Sequence, residues 1–198
     1  MKIHYLSALK SNNCVDAWTG YPEAELGHVE FPHSRVKLVR HNIIEGLHHA
    51  FTQCDCLYTD VAWPAGMKTF DEYARTSTDY HHYLRAISVV FNNTRLPVVF
   101  VGGKALEKNF YPDGVREIKL NKEKAYAYFR NMELGEVKTA DEILALMATQ
   151  YNRVGDPCCG LGRTGSVFYK AGKSCVMSDY NGRVICYLSR NWNHIYGI

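Results

Sequence analysis

The chain has no long apolar segment and no strong charge of either sign. Its hydrophobic runs fall short of the roughly 20 residues that a membrane helix needs, and Met1–Leu6 lacks the long apolar core of a secretory signal. A net charge of +3 over 198 residues gives little electrostatic support for nucleic-acid binding by the whole molecule. We therefore expect no membrane association and a cytoplasmic location.

The cysteines do not form a paired pattern. There are 7 of them, an odd number, which favours free thiols in a reducing compartment over a disulfide framework. Cys54 and Cys56 lie near His48 and His49, but their spacing is not one of the usual paired-cysteine zinc patterns. We expect no bound metal.

Short apolar segments alternate with helical ones, and no internal repeat or low-complexity tract interrupts them. The predicted strands are Val36–Val39, Cys56–Thr59, Pro97–Gly103, Arg153–Asp156 and Cys175–Asp179. The predicted helices are Ile43–Phe51, Phe70–Val90 and Ala140–Gln150, the last opened by a capping box at Thr139. This alternation predicts one α/β domain, a three-layer Rossmann-like fold with a mostly parallel sheet.

The segment Val154–Gly165 reads as a buried strand, a glycine-rich turn and the start of a helix. Gly160, Gly162 and Gly165 would let the backbone turn tightly and approach a ligand, and the helix would point free N–H groups at it. The next strand ends in Asp179, about 20 residues on, where a carboxylate often grips a ribose. The pattern indicates a nucleoside site; an ordinary strand–turn–helix with packing glycines is the alternative.

A second group of candidate residues follows the strand Cys56–Thr59. Asp60 ends this strand, and Trp63 lies three residues later on a turn that contains Pro64 and Gly66. A carboxylate can accept hydrogen bonds from the exocyclic amine of a base and favour the positive charge that develops there, while an indole can stack on the base. Alternatively, Asp60 is a turn residue and Trp63 a core aromatic.

Both segments resemble motifs of the S-adenosylmethionine (SAM)-dependent amino-methyltransferases of DNA, which act on adenine N6 or cytosine N4. The family's cofactor motif reads Asp-Pro-Phe-x-Gly-Ser-Gly-Thr-Thr, against Asp156-Pro-Cys-Cys-Gly-Leu-Gly-Arg-Thr164 here. The resemblance implies SAM as the cofactor, with Asp179 on the ribose hydroxyls. It assigns the rest of the cofactor site to Asp156, Pro157, Cys158, Gly160, Gly162 and Thr164. Arg163 replaces a small hydroxyl residue, and would pair with the methionine carboxylate or, as we prefer, point to solvent.

The family's catalytic motif is Asp/Asn/Ser-Pro-Pro-Tyr/Phe/Trp, which Asp60 and Trp63 match. The resemblance implies that Asp60 and the carbonyl of Val61 accept the hydrogen bonds of the target amine, and that Trp63 stacks on the base. Val61 and Ala62 replace the two prolines, which would have stiffened the loop. The leading hypothesis is therefore a methyltransferase of DNA adenine N6. The alternatives are a catalytically silent SAM- or nucleotide-binding homologue and a Rossmann-like enzyme of another transfer chemistry.

The order of the motifs is that of a circularly permuted methyltransferase. A catalytic-motif half at about 36–103 precedes a cofactor-binding half at about 138–198, and a variable basic segment at about 104–137 separates them. The basic residues expected to contact the phosphates of a nucleic acid, DNA in the leading hypothesis, are Arg35, Lys37, Lys119, Lys122 and Lys124. The short segment between the halves indicates relaxed recognition, a substrate other than duplex DNA, or a second subunit, either a partner or a homodimer mate.

Overall fold

An eight-stranded sheet forms the centre of the protein in a computed structural model that describes residues 18–61, 79–120 and 123–196. In chain order the strands are β1 Val29–His33, β2 Val36–Arg40, β3 Cys56–Asp60, β4 Val98–Gly102, β5 Gly114–Leu120, β6 Glu123–Arg130, β7 Arg153–Asp156 and β8 Ser174–Asp179. The helices are α1 Tyr80–Asn93, α2 Ala140–Gln150, α3 Arg163–Lys170 and α4 Gly182–Tyr196. Short 3-10 helices cover Ile43–Glu45, His49–Gln53 and Lys104–Lys108.

The sheet runs in the order β1-β2-β8-β7-β3-β4-β6-β5. The five central strands, β2, β8, β7, β3 and β4, are parallel to one another. At one edge β1 pairs antiparallel with β2, and at the other β6 pairs antiparallel with both β4 and β5. Only two residues join β1 to β2 and β5 to β6, and so short a connection permits antiparallel pairing alone. The predicted mostly parallel sheet is confirmed for its centre, and its edges are antiparallel.

Helices cover both faces of the sheet, which gives the three layers. On one face α2, α3 and α4 pack against residues such as Cys56, Tyr58 and Val154. On the other face α1 and the 3-10 helices pack against residues such as Leu57 and Phe100. Because successive strand residues point to opposite faces, the buried central strands are apolar on both sides. Of the helices described, none is long and apolar enough to cross a membrane.

Two sequence predictions on local structure need correction. The single helix expected over Ile43–Phe51 is replaced by two 3-10 helices, because Gly46 between them takes a φ of 97°, outside the helical region. The first of these helices begins after Asn42, whose side chain accepts a hydrogen bond from the amide of Ile44. The helix expected over Phe70–Val90 is described from Tyr80 onward; residues 62–78, including Trp63, lie outside the described residues.

The connections leave β7 and β3 in opposite directions along the sheet. The chain passes from β7 through α3 to β8 on one side, and from β3 through α1 to β4 on the other. In open α/β sheets such a reversal opens a crevice at the carboxyl ends of the two strands, where ligands bind. The crevice here lies between Asp156 at the end of β7 and Asp60 at the end of β3.

Candidate functional site

The glycine-rich turn between β7 and α3 depends on two residues in the left-handed region. Gly160 has a φ of 47° and Gly162 a φ of 75°, a conformation that favours glycine. Gly165 has a packing role. It lies inside α3, and a Cβ there would collide with Met177 and come within 3.0 Å of Trp192. Gly165 therefore allows α3 to pack closely on β8 and α4.

Asp179 is fixed beside this turn. Its Oδ2 accepts a hydrogen bond of 3.0 Å from the amide of Gly160, and its Oδ1 accepts one of 2.8 Å from the amide of Asn181. Burial raises the pKa of the carboxyl to about 6, although the two amides favour its ionised form. Each oxygen accepts one of these bonds and has further lone-pair capacity for a ligand.

Asp156 fastens the turn to the neighbouring strand. Its Oδ1 accepts hydrogen bonds of 2.7 Å from the Thr59 hydroxyl and 3.2 Å from the amide of Cys158, and Thr164 also donates to the carboxyl. Only 3% of the residue is exposed. Burial raises its pKa to about 7, and the charge of Asp60 contributes in the same direction. The contacts favour Asp156 as the organiser of the turn.

The turn is also tied to β8. The Ser178 hydroxyl donates to the carbonyl of Pro157 at 3.0 Å, and the amide of Cys159 donates to the carbonyl of Ser178 at 2.8 Å. The Sγ of Cys158 lies 3.8 Å from the Tyr83 hydroxyl of α1, and burial raises the pKa of this thiol. The predicted cofactor residues from Asp156 to Thr164 thus lie in one turn, and hydrogen bonds hold this turn to β3 and β8.

A pH-dependent stability is expected from Asp156. Its pKa is raised in the folded protein, from 3.8 to about 7. The free energy of unfolding should therefore fall as the pH rises through this window, because ionisation is less favourable in the folded state. Asparagine cannot ionise, so Asp156→Asn should gain stability relative to wild type between about pH 5 and pH 8 in urea denaturation. If the free energies of unfolding of the two proteins differ by the same amount at both pH values, the raised pKa of Asp156 is contradicted.

Asp60 ends β3 on the other side of the crevice. Its Oδ1 accepts a hydrogen bond of 3.0 Å from the hydroxyl of Tyr58, two residues earlier on the same face of the strand. Burial raises the pKa of Asp60, whereas the Arg163 guanidinium and the Tyr58 hydroxyl lower it. The structure thus brings Asp60 and the anchored turn to one edge of the sheet.

Val61 is hydrogen-bonded to the sheet, at the position where the family's catalytic motif has its first proline. Its amide donates to the carbonyl of Val101 at 2.7 Å, and its side chain is buried. A proline, which has no amide hydrogen, could not make this bond. The pairing of β3 with β4 therefore continues past Asp60 and restrains the backbone without a proline.

Arg163 does not point to solvent as predicted. Its Nη2 and Nε lie 2.9 and 3.0 Å from Oδ1 of Asp141, in the first turn of α2, and its side chain is 21% exposed. Neither Asp141 nor Tyr58 is among the site residues predicted from the sequence. The two-residue spacing of Tyr58 and Asp60 on one strand could have indicated their contact, but no local signal links Asp141 to Arg163.

The basic residues expected at a nucleic-acid surface are divided between two edges of the sheet. Arg35 precedes β2 at the amino edge, where it donates to the carbonyls of Tyr169 and Lys173 and lies over the Tyr169 ring at 4.3 Å. These contacts favour a structural role for Arg35. The ammonium of Lys37 lies 5.6 Å from the centre of the Phe31 ring.

Two other lysines lie at the carboxyl edge of the sheet, the edge that carries Asp60. Lys119 and Lys124 face each other near the tip of the β5–β6 hairpin, which projects past the carboxyl end of β4 because Gly102 pairs with Tyr126. Both side chains are exposed, although Lys124 forms an ion pair of 2.5 Å with Glu117. Lys122 lies outside the described residues. These two lysines are the basic candidates that the structure places on the same edge as Asp60.

The described cysteines are all free thiols. Cys54 and Cys56 are buried, and burial raises the pKa of Cys54 to about 12. Within the described ranges, no group of three or more histidine, cysteine, aspartate or glutamate side chains is arranged to hold a metal ion.

The fold is shared with solved structures, although no protein-family model and no curated protein matches the sequence. M1.HpyAVI in its complex with SAM is similar with a TM-score of 0.50 and 10% identity, over 82% of this chain and 100% of that chain. TTHA0409, a presumed DNA modification methylase from Thermus thermophilus, is similar with a TM-score of 0.50 and 10% identity, over 78% of this chain and 92% of that chain. At such low identity the likeness establishes the fold: the chain has the three-layer α/β architecture of these two proteins.

Proposed function

We propose that the chain is a SAM-dependent methyltransferase that acts on the exocyclic amine of a nucleobase, with N6 of adenine in DNA as its target. One observation carries the proposal: the Asp60 carboxylate and the anchored turn with Asp179 meet at the carboxyl edge of the sheet, where β7 and β3 diverge. The similarity in fold to M1.HpyAVI with SAM and to TTHA0409, a presumed DNA modification methylase, supports it.

The residues present fit SAM. A Cβ built at Gly160 would meet no atom within 4 Å, so the turn is open where a ligand would approach its backbone. Asp179 offers a carboxylate to the ribose hydroxyls. The side-chain nitrogen of Asn181, two residues on, is buried without a hydrogen-bond partner in the described part of the chain. Gly160, Gly162 and Asp179 would hold the cofactor, on the turn that Asp156 anchors.

The chain's own residues would activate the amine. When bound, SAM supplies an electrophilic methyl group. An exocyclic amine is a weak nucleophile because its lone pair is delocalised into the ring. Asp60 and the carbonyl of Val61 would accept its two N–H groups and so favour the positive charge that develops on nitrogen. Trp63 would stack on the base and fix its approach.

A nucleic acid would reach the site along the edge that carries the β5–β6 hairpin. Lys119 and Lys124 are exposed there, and Lys122 lies between them in the sequence. They would contact phosphates, an interaction that weakens as salt rises. Because only a short segment separates the two halves of the chain, we propose that recognition is relaxed or is completed by a second subunit, a homodimer mate or a partner protein.

Transfer of a labelled methyl group from SAM to synthetic DNA tests this proposal. We expect label in N6-methyladenine, and none in the same oligonucleotide carrying purine, which lacks the exocyclic amine, in place of adenine. Label on cytosine N4 would change the proposed target base, whereas methyl transfer to an exocyclic amine would still be the reaction. If wild type binds SAM but labels no nucleic acid, the chain is instead a catalytically silent binding homologue.

A further inference from the structure

Three polar side chains lie around the Asp60 carboxyl, and the resulting group of four comes from three different elements. Tyr58 and Asp60 come from β3, Asp141 from α2 and Arg163 from α3. The Tyr58 hydroxyl donates to Oδ1 of Asp60 at 3.0 Å. Arg163 is joined to Asp141 through two of its nitrogens, at 2.9 and 3.0 Å. Of these four residues, Asp60 alone has a role in the proposed reaction.

Tyr58 is suited to fix the orientation of the carboxylate. Its ring is 1% exposed and packs in the core between the sheet and the helices, so its hydroxyl has little freedom to move. A hydrogen bond to one carboxylate oxygen restricts rotation of the group. Because the Tyr58 hydroxyl donates to Oδ1, Oδ2 is the oxygen that would accept the hydrogen bond of the amine.

Arg163 is suited to supply a fixed positive charge. Its two bonds to Asp141 hold the guanidinium between α2 and α3. Burial raises the pKa of Asp60 and of Tyr58 on β3, and the charge of this guanidinium lowers both. A cation anchored in this way favours the ionised form of a neighbouring carboxyl. With two nitrogens on Asp141, the side chain is less available for the carboxylate of a cofactor.

We propose that Tyr58 and Arg163 are positioning residues that hold the Asp60 carboxylate in one orientation and in its ionised form. For its catalytic consequence the inference rests on the proposed function, because an ionised Asp60 is the form that accepts the hydrogen bond of the amine. Asp141 acts one step further away, by anchoring Arg163.

The charges around Asp60 determine the direction of the expected effects. Tyr58 on its own strand and Arg163 on α3 favour the ionised form, whereas Asp141 on α2 disfavours it and Asp156 on β7 repels it. Removal of the Tyr58 hydroxyl or of the Arg163 charge should therefore raise the pKa of Asp60. A loss of packing in the protein interior would not by itself be expected to raise the pKa of Asp60 in both variants.

Carbon-13 NMR titration of protein labelled at the aspartate carboxyls tests the proposal without any assay of activity. The Asp60 signal is assigned by its absence in Asp60→Asn. We expect the midpoint to rise by about one pH unit or more, roughly a tenfold change in the ionisation constant, in both Tyr58→Phe and Arg163→Gln. An unchanged midpoint in both variants overturns the proposal.

Two matched variants control for the loss of a buried group. Tyr128→Phe removes a buried hydroxyl that donates to the carbonyl of Gly103 at 3.0 Å. Arg35→Gln removes a guanidinium that contacts the other end of α3. Neither should move the midpoint of Asp60. An equal rise in these controls would show a general effect of destabilisation and would also overturn the proposal.

Cofactor binding and methyl transfer separate the failure of this inference from the failure of the proposed function. In Tyr58→Phe and Arg163→Gln the acidic limb of kcat should move to higher pH, while the Kd for SAM stays within about threefold of wild type. If Arg163→Gln instead weakens SAM about tenfold with an unchanged Asp60 midpoint, Arg163 is a cofactor ligand and the inference is wrong. If wild type transfers no methyl group, the proposed function fails, and the carboxyl titration still decides whether the two residues position Asp60.

Discussion

Asp179→Ala is expected to weaken the binding of SAM about a hundredfold. The carboxylate would accept hydrogen bonds from the ribose hydroxyls, and bonds to a charged acceptor contribute about 1.5 kcal/mol or more each. Two of them correspond to roughly a hundredfold in Kd. The loss would also free the amides of Gly160 and Asn181 that the carboxylate now holds, so the turn itself would relax. Titration calorimetry measures the change in Kd.

Asp55→Ala is the matched control for Asp179→Ala. Asp55 also accepts two backbone amides, those of Asn152 and Arg153, at 2.9 and 2.8 Å. It lies at the opposite edge of the sheet, just before β3. Both variants should lower the melting temperature, but only Asp179→Ala should lose affinity for SAM. Equal affinities in the two variants would remove Asp179 from the cofactor site.

Asp60→Ala is expected to lower the rate of methyl transfer by about 10²–10³, the usual effect of removing one group that stabilises charge in the transition state. The Kd for SAM should stay within about threefold of wild type, because Asp60 belongs to β3 and the cofactor turn follows β7. Single-turnover transfer to the adenine oligonucleotide separates the chemical step from product release.

Asp60→Asn refines this result. The amide retains one oxygen acceptor but no charge, so its rate should lie between those of wild type and alanine. An alanine variant with the wild-type rate would show that Asp60 takes no part in the reaction. A parallel loss of SAM affinity, of about tenfold, would instead indicate that Asp60 supports the cofactor site.

Local patterns were sufficient for the parts of the site that lie within one segment. The left-handed φ values of Gly160 and Gly162 follow from residue type. The predicted start of α2 is confirmed, since Thr139 accepts a hydrogen bond from the amide of Glu142 at 3.2 Å. The glutamate of this capping box, however, accepts the amide of Lys138 at 2.7 Å, one residue earlier than the usual arrangement.

Features that depend on packing between distant segments could not be predicted. The pairing of Arg163 with Asp141 arises because the first turns of α2 and α3 lie side by side. The role of Gly165 depends on Met177 and Trp192, which come from β8 and α4. The bond from the Val61 amide to Val101 requires the pairing of β3 with β4. The sequence shows only that Val61 stands where the family motif has a proline. It does not show the hydrogen bond that restrains the backbone in place of that proline.

Titration calorimetry of the wild-type chain with SAM tests the central claim most directly, that the turn beside Asp179 is a SAM site. We expect saturable heat with one site per chain, and displacement of SAM by S-adenosylhomocysteine. The absence of binding by a folded protein, at a pH where Asp179 is ionised, would contradict the claim.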